Sequence, residues 1–246
     1  YVASVGMQID DGQLSGEIAC GQIWGCNVLA TCPEGSLLES LHREHCYGHM
    51  CQQLDALFLS LEEALFLMSE KRALDVAPLQ AILATGALPD SMVCDLPVPV
   101  THAAIPAVPD APASDADSFF QSCRSLVPEF PQRYAAYRHF RLQGWVVRPG
   151  ALKFGADFLL YDGRPDEVHA QYAVIIAEDA LQWRDVVMGS RLAQTVAKDL
   201  LVVLFLGGHW SEFLSESSSQ SVDHKTLAAF LASNQARVTE VAVKRW

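Results

Sequence analysis

Long apolar runs are missing from this sequence. The longest, Leu200–Leu206, falls far short of the ~20 residues a membrane-spanning helix needs, so neither a transmembrane segment nor a secretory signal is expected. The chain opens on Tyr1 rather than Met, which leaves room for a preceding targeting segment. CxxC pairs are also missing. The seven cysteines (20, 26, 32, 46, 51, 94 and 123) are odd in number, which suits reduced thiols in a cytosolic or nuclear protein better than a disulfide framework. His42, His45, Cys46, His49 and Cys51 crowd together, but their spacing fits none of the two-plus-two zinc arrangements. A helix end rich in His and Cys is the plainer reading.

Basic residues are scarce in the first half. Residues 1–129 hold 4 basic and 17 acidic side chains, whereas residues 130–246 hold 13 and 12, so a net charge of −12 divides into −13 and +1. A polyanion would be met locally, by the second half, because no global basic field is present to steer it. No internal repeat of fixed period is visible.

What the chain does have is patterned. Nine of the twelve prolines lie between Pro78 and Pro131, and the Pro-, Ala-, Asp- and Val-rich stretch from Pro89 to Asp117 reads as a flexible linker. The expected division is an N-terminal unit over 1–85, a linker over 86–130 and a C-terminal domain over 131–246. In the first unit, Ile23 to Leu29 predicts a short strand. Ser36 with Glu39 and Ser60 with Glu63 are two capping boxes that open helices, the first stopping at Gly48. Glu62 and Glu63 are expected on a solvated helix face.

In the second domain the pattern predicts a helix over 131–143 closed by Gly144. Strands are predicted at 145–148, 157–161 and 171–177. A helix follows over 183–197, burying Val186, Val187, Leu192 and Val196. A buried strand at 200–206, a helix near 225–232 and a last alternating strand at 238–246 complete it. Tyr161, His169 and Lys198 stand at the edges of these apolar segments. A phenol, an imidazole and an ammonium can together cleave a phosphodiester without metal. Each residue has an ordinary alternative: Tyr161 packed with its hydroxyl in water, His169 a surface loop residue, Lys198 facing a helix C-terminus.

Tyr137-Arg138-His139-Phe140-Arg141-Leu142-Gln143-Gly144-Trp145 and Lys153-Phe154-Gly155-Ala156-Asp157-Phe158-Leu159-Leu160-Tyr161 resemble the catalytic domain of tRNA-splicing (tRNA-intron) endonucleases. His169-Ala170-Gln171-Tyr172, Ser190-Arg191-Leu192-Ala193 and Val196-Ala197-Lys198 continue the likeness in order, and Val238 to Trp246 resembles the family's closing strand. Tyr47-Gly48 and Leu59-Ser60-Leu61-Glu62-Glu63-Ala64 fit loosely in the N-terminal part. The resemblance implies an α+β fold whose C-terminal domain is a restriction-endonuclease-like mixed sheet flanked by helices. It implies a catalytic subunit of a nuclear heterotetramer with a second catalytic subunit and two structural subunits, acting on intron-containing pre-tRNA with no cofactor or metal. An accessory RNA 5′-kinase is a further implied partner.

By resemblance, Tyr161 is the general base, His169 the general acid and Lys198 the electrostatic stabiliser. Arg191 and Trp246 would pinch a flipped-out purine. The Leu59–Ala64 helix start, the Tyr134–Arg141 helix and Trp246 favour the subunit that cuts the 5′ splice site. The alternatives are the 3′-site catalytic subunit and a non-catalytic scaffold subunit. A metal-dependent restriction-type DNA nuclease is disfavoured, since Asp157 lacks an acidic partner with a nearby Glu-x-Lys, and Glu240 with Lys244 has the wrong spacing.

Overall fold

The computed structural model describes residues 19–24, 27–32, 34–51, 56–76, 115–149, 155–177, 183–206, 210, 224–232 and 237–243. They fall into two units, one ending at Val127 and one beginning at Pro128. The expected α+β class holds.

The N-terminal unit is built on a five-stranded sheet of β1 (Ala19–Trp24), β2 (Asn27–Thr31), β3 (His49–Cys51), β4 (Ala56–Ser60) and β5 (Leu74–Val76), in the order β3-β4-β2-β1-β5. Where one strand was expected at Ile23–Leu29, the structure has a hairpin, with Trp24 opposite Asn27. The first expected capping box forms by half: Ser36 Oγ accepts from Glu39 N at 3.2 Å and opens α1 (Leu37–His45), but the Glu39 carboxylate accepts from Gly35 N rather than from Ser36 N. Its stop differs, because Cys46 takes the left-handed position at φ 56°. Gly48 serves another purpose at φ +62°, where an added Cβ would sit 2.8 Å from the Phe58 carbonyl oxygen.

The second box opens α2 (Leu61–Phe66), which continues into a π-helical turn over Leu67–Lys71. Glu62 and Glu63 do not face water; they are 6% and 2% exposed. For Glu63 the reason is one near donor and one distant in sequence. Glu63 accepts from Ser60 N at 2.9 Å through one carboxylate oxygen and from Gly48 N at 3.0 Å through the other. Two buried N–H donors bonded to the carboxylate hold the charge inside.

The linker expectation also needs correction. Residues 116–126 form a helix, α3 (Ala116–Leu126), capped by Asp115 accepting from Ser118 N at 2.8 Å. Phe119, Phe120 and Cys123 are buried, and α3 packs on α2. Burial, reinforced by the Glu62 carboxylate, raises the Cys123 thiol pKa far above its ordinary value. The compositional signal for a linker ran too far because Asp115 reads as polar filler until its capping role is recognised. The remainder, 77–114, lies outside the described residues.

The C-terminal unit is a second five-stranded sheet, ordered β10-β9-β8-β7-β6. Its strands are β6 (Val146–Pro149), β7 (Phe158–Tyr161), β8 (Tyr172–Ile176), β9 (Asp199–Leu206) and β10 (Arg237–Val243). The β8–β9 pair is parallel and the other pairs are antiparallel. The predicted elements are present with ends shifted by one to three residues; 244–246 of the last strand lie outside the described residues. Alternation gives the sheet two apolar faces. Leu159, Ala173, Leu200 and Val202 face α5 (Trp183–Thr195). Phe158 faces the other way, where Tyr137 of α4 (Phe130–Leu142) meets it at 6.1 Å between ring centroids. The helix α6 (His224–Ala232) packs against α4.

The buried face of α5 agrees with expectation at Val186, and Val187 and Val196 are half-buried, but Leu192 is not part of it. Val186 and Ala193 are in the core, whereas Leu192 is 38% exposed. Gly189 explains the close approach: a Cβ there would lie 2.5 Å from Ile175 Cδ1. The apolar-residue pattern missed this because the contact is made by a residue with no side chain.

Candidate active site

Sheet register aligns two of the expected site residues, Tyr161 and Lys198, at one end of the C-terminal strands. Leu160 pairs with Tyr172, and Gln171 N donates to Leu160 O at 2.8 Å. Tyr172 in turn pairs with Asp199, and Asp199 N donates to Gln171 O at 3.1 Å. One residue outward on each strand therefore gives a row: Tyr161, Gln171, Lys198. With strands ~4.8 Å apart, Tyr161 and Lys198 stand two strand steps apart, ~10 Å between backbones. That is a span two side chains can close. His169 lies two residues before Gln171, in the connection that links Tyr161 to β8.

Each residue has a local reason for its place. Tyr161 is the last residue of β7, half-buried, and packs against the α5 side of the sheet. The strand starts firmly. Asp157 accepts from Arg133 Nη1 at 2.7 Å and from Ile176 N at 2.8 Å, and the Arg133 guanidinium lies 5.1 Å from the Phe158 ring centroid. Lys198 follows α5, which ends with Ala197 in the left-handed conformation at φ 54°, a position usually given to Gly. Lys198 N donates to Ala193 O at 2.9 Å and its Nζ donates to Val196 O at 3.2 Å. The ammonium thus lies against the carbonyl-rich end of the helix. His169 is exposed.

The electrostatics differ from expectation at Tyr161. The ordinary expectation is that the Lys198 ammonium favours the phenolate. Instead, burial raises the Tyr161 pKa above 10, and the cation that opposes the rise is Arg148. Arg148 pairs with Leu159 on β6, so it shares Tyr161's face diagonally across the strands. Arg148 was missed in the sequence, although period-2 alternation along Val146–Pro149 would have aimed it correctly. Burial thus disfavours the Tyr161 phenolate, and Arg148 partly offsets that effect.

Arg191 is exposed on α5, on the side of the helix away from its buried residues. Trp246 lies outside the described residues, so the structure does not bring the two together. In the N-terminal unit, His42 Nδ1 lies 2.6 Å from Tyr47 O, and Cys46 is buried while His49 is exposed. Among the described residues, no three His, Cys, Asp or Glu side chains are grouped to hold a metal ion.

The sequence matches two family models. One is the tRNA intron endonuclease catalytic C-terminal domain, over residues 130–209, and the other is the tRNA intron endonuclease N-terminal domain, over residues 21–83. Among curated proteins, the chain is 39% identical over 90 residues to the rice probable tRNA-splicing endonuclease subunit Sen2, covering 32% of this chain and 30% of that one. It is 31% identical over 137 residues to mouse tRNA-splicing endonuclease subunit Sen2, covering 52% and 27%. With the Saccharomyces cerevisiae subunit SEN2 it shares 31% over 147 residues, covering 58% and 37%. The matched regions span about a third of the length of these relatives. The C-terminal match encloses Tyr161, His169 and Lys198 with the strands that align them. The chain belongs to the tRNA intron endonuclease family and carries both its N-terminal and its catalytic C-terminal domain.

Proposed function

We propose that the chain is a catalytic subunit of a tRNA-splicing endonuclease that cleaves pre-tRNA at the 5′ splice site. The observation that carries this reading is the cross-strand row Tyr161–Gln171–Lys198 with His169 beside it, inside the matched catalytic domain. The RNA supplies the nucleophile. Tyr161 takes the proton of the ribose 2′-OH, whose oxygen attacks the adjacent phosphorus. Lys198 stabilises the charged pentacoordinate phosphate. His169 gives its proton to the departing 5′ oxygen as the P–O5′ bond breaks. The products are a 2′,3′-cyclic phosphate and a 5′-OH, which makes the enzyme a lyase independent of metal. Positioned acids and bases each contribute ~10²–10⁴ in rate, and a preorganised cation at the phosphoryl oxygens adds a further factor.

The relatives' printed names as tRNA-splicing endonuclease subunits support the splicing role, and the resemblance of the Leu59–Ala64 helix start and the Tyr134–Arg141 helix supports the 5′-site assignment. The partners would be a second catalytic subunit and two structural subunits, with an RNA 5′-kinase accessory and a nuclear location. The test is to incubate the reconstituted complex with intron-containing pre-tRNA in EDTA and sequence the cut ends. Cleavage at the 5′ site with a cyclic phosphate is expected, and it should be lost in His169→Ala. Loss of 5′ cutting on chelation would exclude the metal-independent mechanism. Loss of only the 3′ cut in His169→Ala would reassign the chain to the 3′ site.

A further inference from the structure

The connection from Tyr161 to His169 is short and self-contained. Gly163 sits at φ +133°, a backbone conformation that side-chain-bearing residues rarely adopt. Val168, the residue immediately before His169, lies over it: a Cβ built at Gly163 would sit 3.6 and 3.7 Å from the two Val168 methyls. Space is therefore not what forbids a larger residue there; the backbone is. Between these two, Glu167 N and Val168 N both donate to Arg164 O at 2.9 Å, closing one tight turn. The Arg164 contacts to Asp166 at 3.4 Å and Glu167 at 3.6 Å join exposed side chains. Exposed pairs of that kind contribute little to shape. What sets the turn is the Gly163 conformation, the Arg164 carbonyl and the Val168 methyls. Val168 remains 37% exposed, so it is not a core residue whose loss would unfold the sheet.

We propose that Gly163 and Val168 are positioning residues that hold His169 at the strand ends that carry Tyr161 and Lys198. This rests on the reading of His169 as the general acid. The turn has one end fixed at Tyr161 by β7 and the other at Gln171 by its bond to Leu160 O. Rotation at Gly163 would therefore be absorbed between Asp162 and Ala170, where His169 lies. A misplacement of about 1 Å can cost ~10²-fold in rate.

The test uses the reconstituted complex and two versions of the same pre-tRNA, one with the native 5′ oxygen and one with sulfur bridging at the scissile bond. A thiolate leaves without a proton, so a defect confined to the general acid disappears on the sulfur substrate. Gly163→Ala should lower kcat about 10- to 100-fold on the oxygen substrate, with KM within twofold. Val168→Ala should show a smaller loss, which Val168→Ile restores. Both losses should vanish on the sulfur substrate and add nothing in a His169→Ala background. If Gly163→Ala fails to assemble, Val168→Ala carries the same comparison. Losses that persist with sulfur, or that add fully to His169→Ala, overturn the inference while leaving the role of His169 intact. If His169→Ala itself cuts the oxygen substrate at the normal rate, the acid assignment falls and this inference with it.

Discussion

His139 Nε2 lies 2.7 Å from Glu240 Oε1, joining α4 to β10 across the C-terminal sheet. Gln143 Nε2 donates to the same carboxylate oxygen at 3.0 Å. The His139 bond holds the Glu240 carboxyl below its ordinary 4.5, against the opposing effect of burial. A carboxyl depressed in the folded state stabilises the protein above its unfolded pKa, and that stability is lost as pH falls through the folded value. Glu240→Gln should therefore cost about 1 kcal/mol at pH 7, the modest figure suited to a partly exposed pair. The deficit relative to wild type should shrink below about pH 4. Urea midpoints from pH 7 to 3 check this; a constant deficit would mean that the pair does not stabilise the fold.

Glu63 offers the sharper stability test. Removing its carboxylate takes away the acceptor that Gly48 N and Ser60 N both bond in the buried interior. Glu63→Ala should cost about 3 kcal/mol, two buried donors at 1–3 kcal/mol each with some relaxation. Exposed Glu70→Ala should change stability by less than about 0.5 kcal/mol. Comparable losses in the two variants would show that the double acceptor is energetically idle.

Tyr161 and Arg148 make a kinetic prediction. Tyr161→Phe should slow cleavage about 10²–10⁴-fold, the value of a positioned base. Arg148 opposes the upward shift of the Tyr161 pKa, so Arg148→Ala should raise it further, lower the phenolate fraction and slow cleavage at pH 7. On a Tyr161→Phe background, the same change should have no further effect. An undiminished Arg148 effect in the double variant would place that arginine on the RNA rather than on the phenol.

The proposed base clamp separates recognition from chemistry. Trp246→Ala should slow cleavage by about one to two powers of ten, the worth of one stacked base at ~1–3 kcal/mol. Arg191→Lys should be nearly as harmful as Arg191→Ala, because the planar guanidinium is lost although the charge remains. The Arg191/Trp246 double variant should be less than additive. A fully active Arg191→Lys on single-turnover assay would rule the clamp out.

Much of this was legible in the chain. Capping boxes at Ser36 and Ser60, alternation in the C-terminal strands and Gly144 after α4 are short-range signals, and each element they mark is present. Long-range signals were not legible. Glu62 and Glu63 look solvated from their neighbours in sequence, and only Gly48, fifteen residues earlier, supplies the second donor that buries Glu63. On α5, Val186 is buried as expected, but Leu192 was misplaced because Gly189, not an apolar side chain, makes the closest approach to the sheet. At the site, residue identities were readable, but the alignment of Tyr161 with Lys198 and the diagonal placement of Arg148 beside Tyr161 depend on strand register.

The strands β7, β8 and β9, with α5 between the last two, form one uninterrupted stretch of chain, and β10 comes later. Contacts between residues close in sequence form fast. On a growing polypeptide, the strand ends bearing Tyr161 and Lys198 can consequently mature while β10 is still unmade. Until β10 arrives, the apolar β9 strand has one side open and is at its most prone to mispairing. The order of synthesis thus completes the strand ends that carry Tyr161 and Lys198 first and covers β9 last, and mispairing is most threatening in the interval between those two events.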